Sequence, residues 1–305
     1  MAVRIKTYAK LNFTLELRGK QGGYHLLDSL VCTVDLCDEV TVRRRRDGNV
    51  TLKSRGMGSE YIPEAENNAV RAAQAFAETF HTGGADICID KNIPIGGGMG
   101  GSSADAAGVL RAMAKLYGIA DMDRLKSLAD LLGSDTGYLL TGGLCRLRGR
   151  GDRVEKLGAC PKLHFLVLCP EGGVSAAACY AAADRLGSGN ASAGATDRAA
   201  AALASGDLPA FGKALSNDLF PAAASLSASA AEALAAARSF SPLGAAMTGS
   251  GSASFAFFET RELCEWAKSR YRGPARAFCV STVDPSARKP LFRSPFGLSE
   301  EERRL

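Results

Sequence analysis

Residues 93–107 read IPIGGGMGGSSADAA, five glycines in six positions followed at once by two serines. Without Cβ atoms such a backbone comes close to an anion and turns its N–H groups inward. The segment before it, residues 85–94, alternates apolar and polar residues as a strand does. The segment after it, ADAAGVLRAMAKLYG, carries apolar residues at helical spacing. A helix that starts there adds the positive end of its dipole and its unpaired N–H donors. Strand, glycine loop and helix in this order predict a phosphate-binding device. No lysine precedes the serines, so the loop is not of the Walker A type. Gly96, Gly98 and Gly101 spell G-x-G-x-x-G. Pro94, the double serine and the missing downstream acidic residue fit a dinucleotide-binding fingerprint poorly.

The rest of the chain bounds what such a loop can serve. Its 305 residues suffice for two domains or one large one. There is no apolar run long enough to span a membrane, and the first residues lack the apolar core and cleavage site of a secretion signal. A cytoplasmic protein is the expectation. Nine cysteines, with no C-x-x-C and several in apolar strand-like runs, predict buried thiols rather than a disulfide framework or a zinc site. The net charge of +5 is mild. The run Arg43, Arg44, Arg45, Arg46 precedes Asp47-Gly48, a hairpin turn signal. It reads as a solvated hairpin tip in preference to a nucleic-acid patch, since no second basic cluster with aromatics accompanies it.

Periodicity predicts strands over residues 11–17, 26–36 and 39–45, a helix over 66–80, the loop and its helix, and a further helix over 121–133. Residues 144–157 read as a hairpin, and 158–162 as a break. A strand over 164–170 opens a second unit. Residues 186–197, rich in Gly, Ser, Ala and Asn, read as a mobile connection. Helices over 196–206 and 225–240 follow, then a glycine- and hydroxyl-bearing turn leading to a strand within 245–259, and a last strand over 276–283. The tail from residue 284 is polar and proline-bearing and is expected to be partly disordered. Taken alone, Lys10 reads as a surface charge, Asp135 as a turn or cap aspartate, and the pair Tyr24-His25 as packing.

Together the motifs say more. Pro94, Gly98, Met99, Gly100, Ser102 and Ser103 resemble the P-x-x-x-G-[LM]-G-x-S-S motif of the GHMP kinases, the small-molecule kinases that include galactokinase, homoserine kinase and mevalonate kinase. The N-terminal AKLNFTLELRGKQGGYHLLDSL, the triplet Asn217-Asp218-Leu219 and GAAMTGSGSASFAFF resemble, in the same order, elements of the 4-(cytidine 5′-diphospho)-2-C-methyl-D-erythritol kinase family within that superfamily. The resemblance runs from about residue 5 to residue 283. It implies an α+β, two-domain GHMP kinase fold, with a ribosomal-protein-S5-domain-2-like N-terminal domain (1–158), a ferredoxin-like α/β C-terminal domain (159–285), a tail (286–305), and the active site in the cleft between the domains.

The resemblance also implies roles. Lys10 and Asp135 are the expected catalytic pair, the ammonium offsetting charge on the transferred phosphoryl group and the carboxylate acting as general base or hydroxyl orienter. Around Asp135 the chain has Ser134, Thr136 and Gly137 where the family has G-A-D-V-P, so the local backbone is expected to differ. Pro94, Gly96, Gly97, Gly98, Met99, Gly100, Gly101, Ser102, Ser103 and Asn67 are expected on the ATP side. Asn12, Tyr24, His25, Tyr180, Gly249, Ser250 and Gly251 are expected on the substrate side, with Tyr24 stacking on a cytosine and Tyr180 closing its other face. Ser252 stands where the family has proline or another small residue, which predicts a looser second glycine loop. No Asp/Glu/His cluster has metal-ligand spacing, so Mg2+ is expected to arrive with ATP, held by phosphates, water and Ser103. The implied activity is ATP-dependent phosphorylation of the 2-hydroxyl of a cytidine-diphosphate-linked methylerythritol. The implied partners are small molecules, with no nucleic acid and no membrane, in a monomer or weak homodimer. The alternatives are a mevalonate- or homoserine-type GHMP kinase and a non-catalytic nucleotide- or RNA-binding protein on the same scaffold.

Overall fold

A computed structural model describes residues 1–59, 66–189 and 191–285. The expected tail, 286–305, lies outside the described residues. The N-terminal half contains β1 (Ala2–Asn12), β2 (Thr14–Gln21), β3 (Tyr24–Arg44), β4 (Val50–Gly56), α1 (Asn68–Phe80), β5 (Ala85–Lys91), α2 (Gly101–Tyr117), α3 (Met122–Leu132), α4 (Ser134–Leu139), β6 (Cys145–Gly149) and β7 (Arg153–Lys156). The C-terminal half contains β8 (His164–Cys169), α5 (Ala176–Leu186), α6 (Ala195–Ser205), α7 (Leu208–Ala214), β9 (Ser216–Asn217), α8 (Phe220–Leu226), α9 (Ala228–Ser239), β10 (Gly244–Met247), β11 (Ser254–Phe258), α10 (Arg261–Arg270) and β12 (Arg276–Ser281).

The spine of the first sheet is β3. The two strands expected over 26–36 and 39–45 are one strand of 21 residues, which pairs in turn with β2, β6, β1 and β5 along its length. Its register with β1 slips between Tyr8 and Lys10, where β3 carries extra residues. Such a bulge bends a strand and re-aims the next side chain, and here that side chain is Lys10. The strand expected over 11–17 is broken at Phe13, which separates β1 from β2.

The hairpin expectation is overturned. Asp47-Gly48 does not close a hairpin, because β4 pairs in parallel with β5, and β5 lies between β4 and β3. Burial explains the order. In β5 the alternate residues Ala85, Ile87 and Ile89 are buried, which suits an internal strand. No residue of β4 is buried, which suits an edge.

The second sheet runs β10-β11-β8-β12 with every neighbouring pair antiparallel. With helices between β8 and β10 and α10 between β11 and β12, this is the ferredoxin-like β-α-β-β-α-β order. Period-2 alternation gives this sheet two apolar faces. Leu166, Leu168, Ala256 and Phe258 pack under α9 and α10. Phe165, Val167, Phe255 and Phe257 face the other way and share a core with Ala9, Leu11, Phe13, Leu30, Cys32 and Val34 of the first sheet. The two halves are therefore joined by a common apolar layer. Phe13 sits in it at 5.3 Å from Phe165 and 5.2 Å, edge-on, from Phe211.

The segment expected to be a mobile connection, 186–197, is anchored. Glu16 accepts hydrogen bonds from Gly194 N (2.9 Å) and Thr196 N (2.7 Å), and Asp218 accepts from Leu17 N (2.9 Å) and Ser192 N (3.1 Å). Helices α4, α5, α7 and α8 had no counterpart in the sequence reading, and the helix expected over 225–240 begins at Ala228. Phe13→Ala should cost about 3–5 kcal/mol, the usual range for emptying a buried aromatic site, read as a lowered urea midpoint.

Candidate active site

The glycine loop is a tight spiral. Gly96, Gly98 and Gly100 all have φ of +74°, the left-handed region that glycine enters without strain. Gly100 is the N-cap of α2, a helix of 17 residues, so its first N–H groups open into the loop. At Gly98 the loop meets a second one: a Cβ there would lie 2.4 Å from Thr248 O. Ser252 N and Ala253 N donate to Gly96 O and Gly97 O, both at 3.3 Å. The second glycine loop, Gly249-Ser250-Gly251, thus backs the first one. Asn217 Nδ2 fixes it by donating to Met247 O and Gly249 O, both at 2.8 Å.

Beside the first loop lies a cleft of about 190 Å3, lined by residues 93–103 with Asn67, Lys91 and Asp105 among others. Asn67 caps α1, its Oδ1 accepting from Ala69 N at 2.9 Å. Asn68 Nδ2 donates to Ser102 Oγ at 2.9 Å and ties that helix to the loop. The cleft floor holds a group that the sequence reading missed. Lys91 Nζ lies 2.5 Å from Asp38 Oδ2 and 2.6 Å from Asp105 Oδ2, all three side chains being buried. Asp38 Oδ1 also accepts from Asn92 N and Ile93 N. Burial pushes the Asp105 carboxyl up, the Lys91 ammonium draws it down and Asp38 raises it again, for a result of about 7. Burial opposes the Lys91 charge, but the two carboxylates outweigh it and lift the ammonium above the ordinary lysine range. The alternation of residues 85–94 gives no sign of this triad; only the tertiary partners of Lys91 reveal it.

Lys10 lies against the loop. Its backbone N donates to Met99 O at 3.0 Å, and its side chain runs past Gly100, where a Cβ would come within 3.2 Å of Cγ. Buried at 4 % exposure, Lys10 Nζ donates to Asn12 Oδ1 at 2.5 Å and stands 3.5 Å from Asp135 Oδ2. Asn12 is held in turn, its Nδ2 donating to Ser29 Oγ at 2.9 Å and its N to Thr248 Oγ1 at 3.0 Å. Asp135 lies in the first turn of α4, after Gly133. The departures around it have a packing counterpart: a Cβ on Gly137 would lie 1.8 Å from Asp130 Oδ1. A larger residue at 137 requires the Asp130 side chain to move aside.

Farther along β3, the imidazole of His25 stacks on Tyr180 with ring centroids 4.8 Å apart and an interplanar angle of 28°. Burial, with Asp135 nearby, pushes the Tyr180 hydroxyl up to about 12. Tyr24 faces elsewhere. It is 56 % exposed, under the Arg150 guanidinium at 3.9 Å, and lines a separate surface cleft of about 300 Å3. The fold thus gathers the loop with Asn67, gathers Lys10, Asn12 and Asp135, and pairs His25 with Tyr180, while Tyr24 stands apart from Tyr180. Among the described residues no cluster of three or more His, Cys, Asp or Glu side chains could hold a metal ion, and no helix is long and apolar enough to cross a membrane.

Residues 67–143 match the GHMP kinases N terminal domain and residues 199–269 the GHMP kinases C terminal model. A 4-diphosphocytidyl-2-C-methyl-D-erythritol kinase of Caldicellulosiruptor saccharolyticus is 34% identical over 261 residues, covering 84% of this chain and 88% of that one. The chain belongs to this kinase family. A crystal structure of 4-(cytidine 5′-diphospho)-2C-methyl-D-erythritol kinase superposes with a TM-score of 0.75 at 31% identity, covering 92% of this chain and 98% of that one. The L. major mevalonate kinase, solved with R-mevalonate, shares the fold with a TM-score of 0.72 at 16% identity, over 93% of this chain and 97% of its own. The expected two-domain GHMP fold is borne out.

The contact between the glycine loops yields a test. Gly98→Ala, strained by its φ and pressed against Thr248 O, should weaken ATP binding about tenfold or more, since a backbone cradle depends on close approach. Titration calorimetry with a non-hydrolysable ATP analogue measures it, and an unchanged far-ultraviolet circular dichroism spectrum shows that the fold survives.

Proposed function

We propose that this protein transfers the γ-phosphoryl group of ATP to the 2-hydroxyl of 4-(cytidine 5′-diphospho)-2-C-methyl-D-erythritol, an isoprenoid-precursor kinase reaction. The observation that carries the reading is the Lys10–Asp135 pair, 3.5 Å apart against the glycine loop. A binding module has no use for a buried ammonium and a carboxylate at the edge of a phosphate cradle. Membership of the kinase family supports the acceptor, and the His25–Tyr180 stack supplies a flat polar–aromatic recognition surface near Asp135.

In this reading the loop from Gly96 to Gly101 and the N-terminus of α2 hold the triphosphate with backbone N–H groups. Pro94 and Met99 shape the loop, Ser102 and Ser103 offer hydroxyls, and Asn67 borders the nucleotide. Asp135 Oδ2 orients the accepting hydroxyl and takes its proton as the bond to phosphorus forms. Lys10 pairs with that carboxylate and offsets charge on the phosphoryl oxygens, while Asn12 fixes the ammonium. Phosphoryl transfer passes through a loose transition state, so this positioning is the main contribution of the protein. His25 and Tyr180 hold the cytosine, Tyr24 stands outside this stack under Arg150, and Gly249, Ser250 and Gly251 back the phosphates. The donor set fits a Mg2+ ion carried by the nucleotide: the Ser103 hydroxyl lines the cleft, while Asp105 and Asp38 are already committed to Lys91. When bound, that ion neutralises phosphate charge. We place the domain division near residue 158 and the protein in the cytoplasm, where its nine cysteines remain thiols, as a monomer or weak homodimer without nucleic-acid or membrane partners.

Release of ADP should require the cytidylated substrate and should stay at background with mevalonate or homoserine. Comparable turnover with either control overturns the acceptor assignment. Asp135→Asn should lower kcat by about 100-fold or more and leave the KM for ATP within about twofold. A raised KM at unchanged kcat would instead assign Asp135 to nucleotide binding.

A further inference from the structure

His25 does not stand alone beside Tyr180. Its Nε2 lies 2.7 Å from Asp184 Oδ1, and the other oxygen of that carboxylate is 2.6 Å from Lys20 Nζ. Secondary structure produces this arrangement from two directions. Tyr180 and Asp184 are four residues apart on α5, so one helix face supplies both the ring that stacks on His25 and the carboxylate that bonds it. Lys20 and His25 are register partners across the antiparallel β2–β3 pair, so both side chains reach the same carboxylate.

We propose that Asp184 is a positioning residue for base selectivity, holding the His25 proton on Nε2 so that Nδ1 is left as an acceptor for the 4-amino group of cytosine. The inference rests on the reading above that the cytosine lies at His25. A carboxylate accepts, so the nitrogen it bonds is the N–H. Nδ1 has no hydrogen-bond partner among the described residues. A neutral imidazole then presents a lone pair at Nδ1, which pairs with the amino group of cytosine and repels the 4-oxo group of uracil. Lys20 matters for the same reason. Its ammonium engages one oxygen of Asp184 and leaves the other to His25 Nε2, which fixes the carboxylate against the ring. Lys20, followed by His25, holds the Asp184 carboxyl below the ordinary range, so the carboxylate remains an acceptor at neutral pH.

The test compares kcat/KM for the cytidine-linked substrate and its uridine-linked analogue in the wild type, Asp184→Asn and Asp184→Glu. Wild type should prefer the cytidine compound strongly. Asp184→Asn, whose amide can accept from a protonated Nε2 or donate to a bare one, should narrow that preference about tenfold through the KM for the cytidine compound, with kcat and the KM for ATP little changed. Asp184→Glu should restore most of it. Nitrogen-15 NMR of the wild-type histidines, three in the chain, should show His25 protonated at Nε2 and bare at Nδ1. Equal losses on both substrates, or a His25 proton on Nδ1, overturn the proposal while leaving the kinase reading intact. No turnover of the cytidine compound by the wild type overturns both.

Discussion

The close approach of two backbone turns governs this molecule. Gly98 touches the carbonyl of Thr248, and Gly96 touches Gly173 with a spacing that no Cβ would allow, 2.2 Å from a Cβ on Gly173 to Gly96 O. Segments about 150 residues apart (Gly98 and Thr248) and about 77 apart (Gly96 and Gly173) are thereby held at main-chain distance. The first loop receives its shape from this contact as much as from its own glycines. Thr248 also takes the hydrogen bond of Asn12 N, so the strand bearing Lys10 is referenced to the same turn. Cradle, ammonium and second loop form one construction.

The buried ammonium groups of that construction are set against carboxylates. Removing charges from water is costly, and breaking one partner of a buried pair costs more than the pair contributes. The floor beneath the cleft meets this with one cation between two carboxylates, and Asp38 spends its remaining oxygen on the N–H groups of Asn92 and Ile93 where the strand turns into the loop. The arrangement specifies where β5 ends and the loop begins. Lys10 follows a similar logic at the reacting edge, with Asn12 as its hydrogen-bond acceptor and the half-exposed Asp135 as its counter-charge. The second pair is more open, as a site that admits a hydroxyl must be.

Much of this was legible in the chain. The strand, glycine loop and helix from β5 to α2 followed from local chemistry, because alternation, missing side chains and helical spacing each act over a few residues. The family motifs placed Lys10, Asn12 and Asp135 in one site, and the fold brings them together. Other features were not legible because they depend on partners far away in sequence. Asp47-Gly48 has hairpin chemistry, but β5, more buried than β4, takes the place beside β3. The segment 186–197 has the composition of a mobile link, yet Glu16 and Asp218 hold it by its N–H groups. Helix α5 is alanine-rich with a weak apolar stripe, and its importance lies in Tyr180 and Asp184 meeting His25.

By itself the sequence determined that a glycine loop lies between a strand and a helix and where it starts and ends, since these rest on backbone freedom and spacing within short segments, while the kinase family came from the resemblance of its motifs. The tertiary structure decided what lies around that loop. It buried Lys91 between two carboxylates, set Tyr24 and His25 on different neighbours although they are adjacent in the chain, and supplied Asp184 as the partner of His25. A β-strand sends successive side chains to opposite faces, and which face meets which partner is fixed only when the two halves pack.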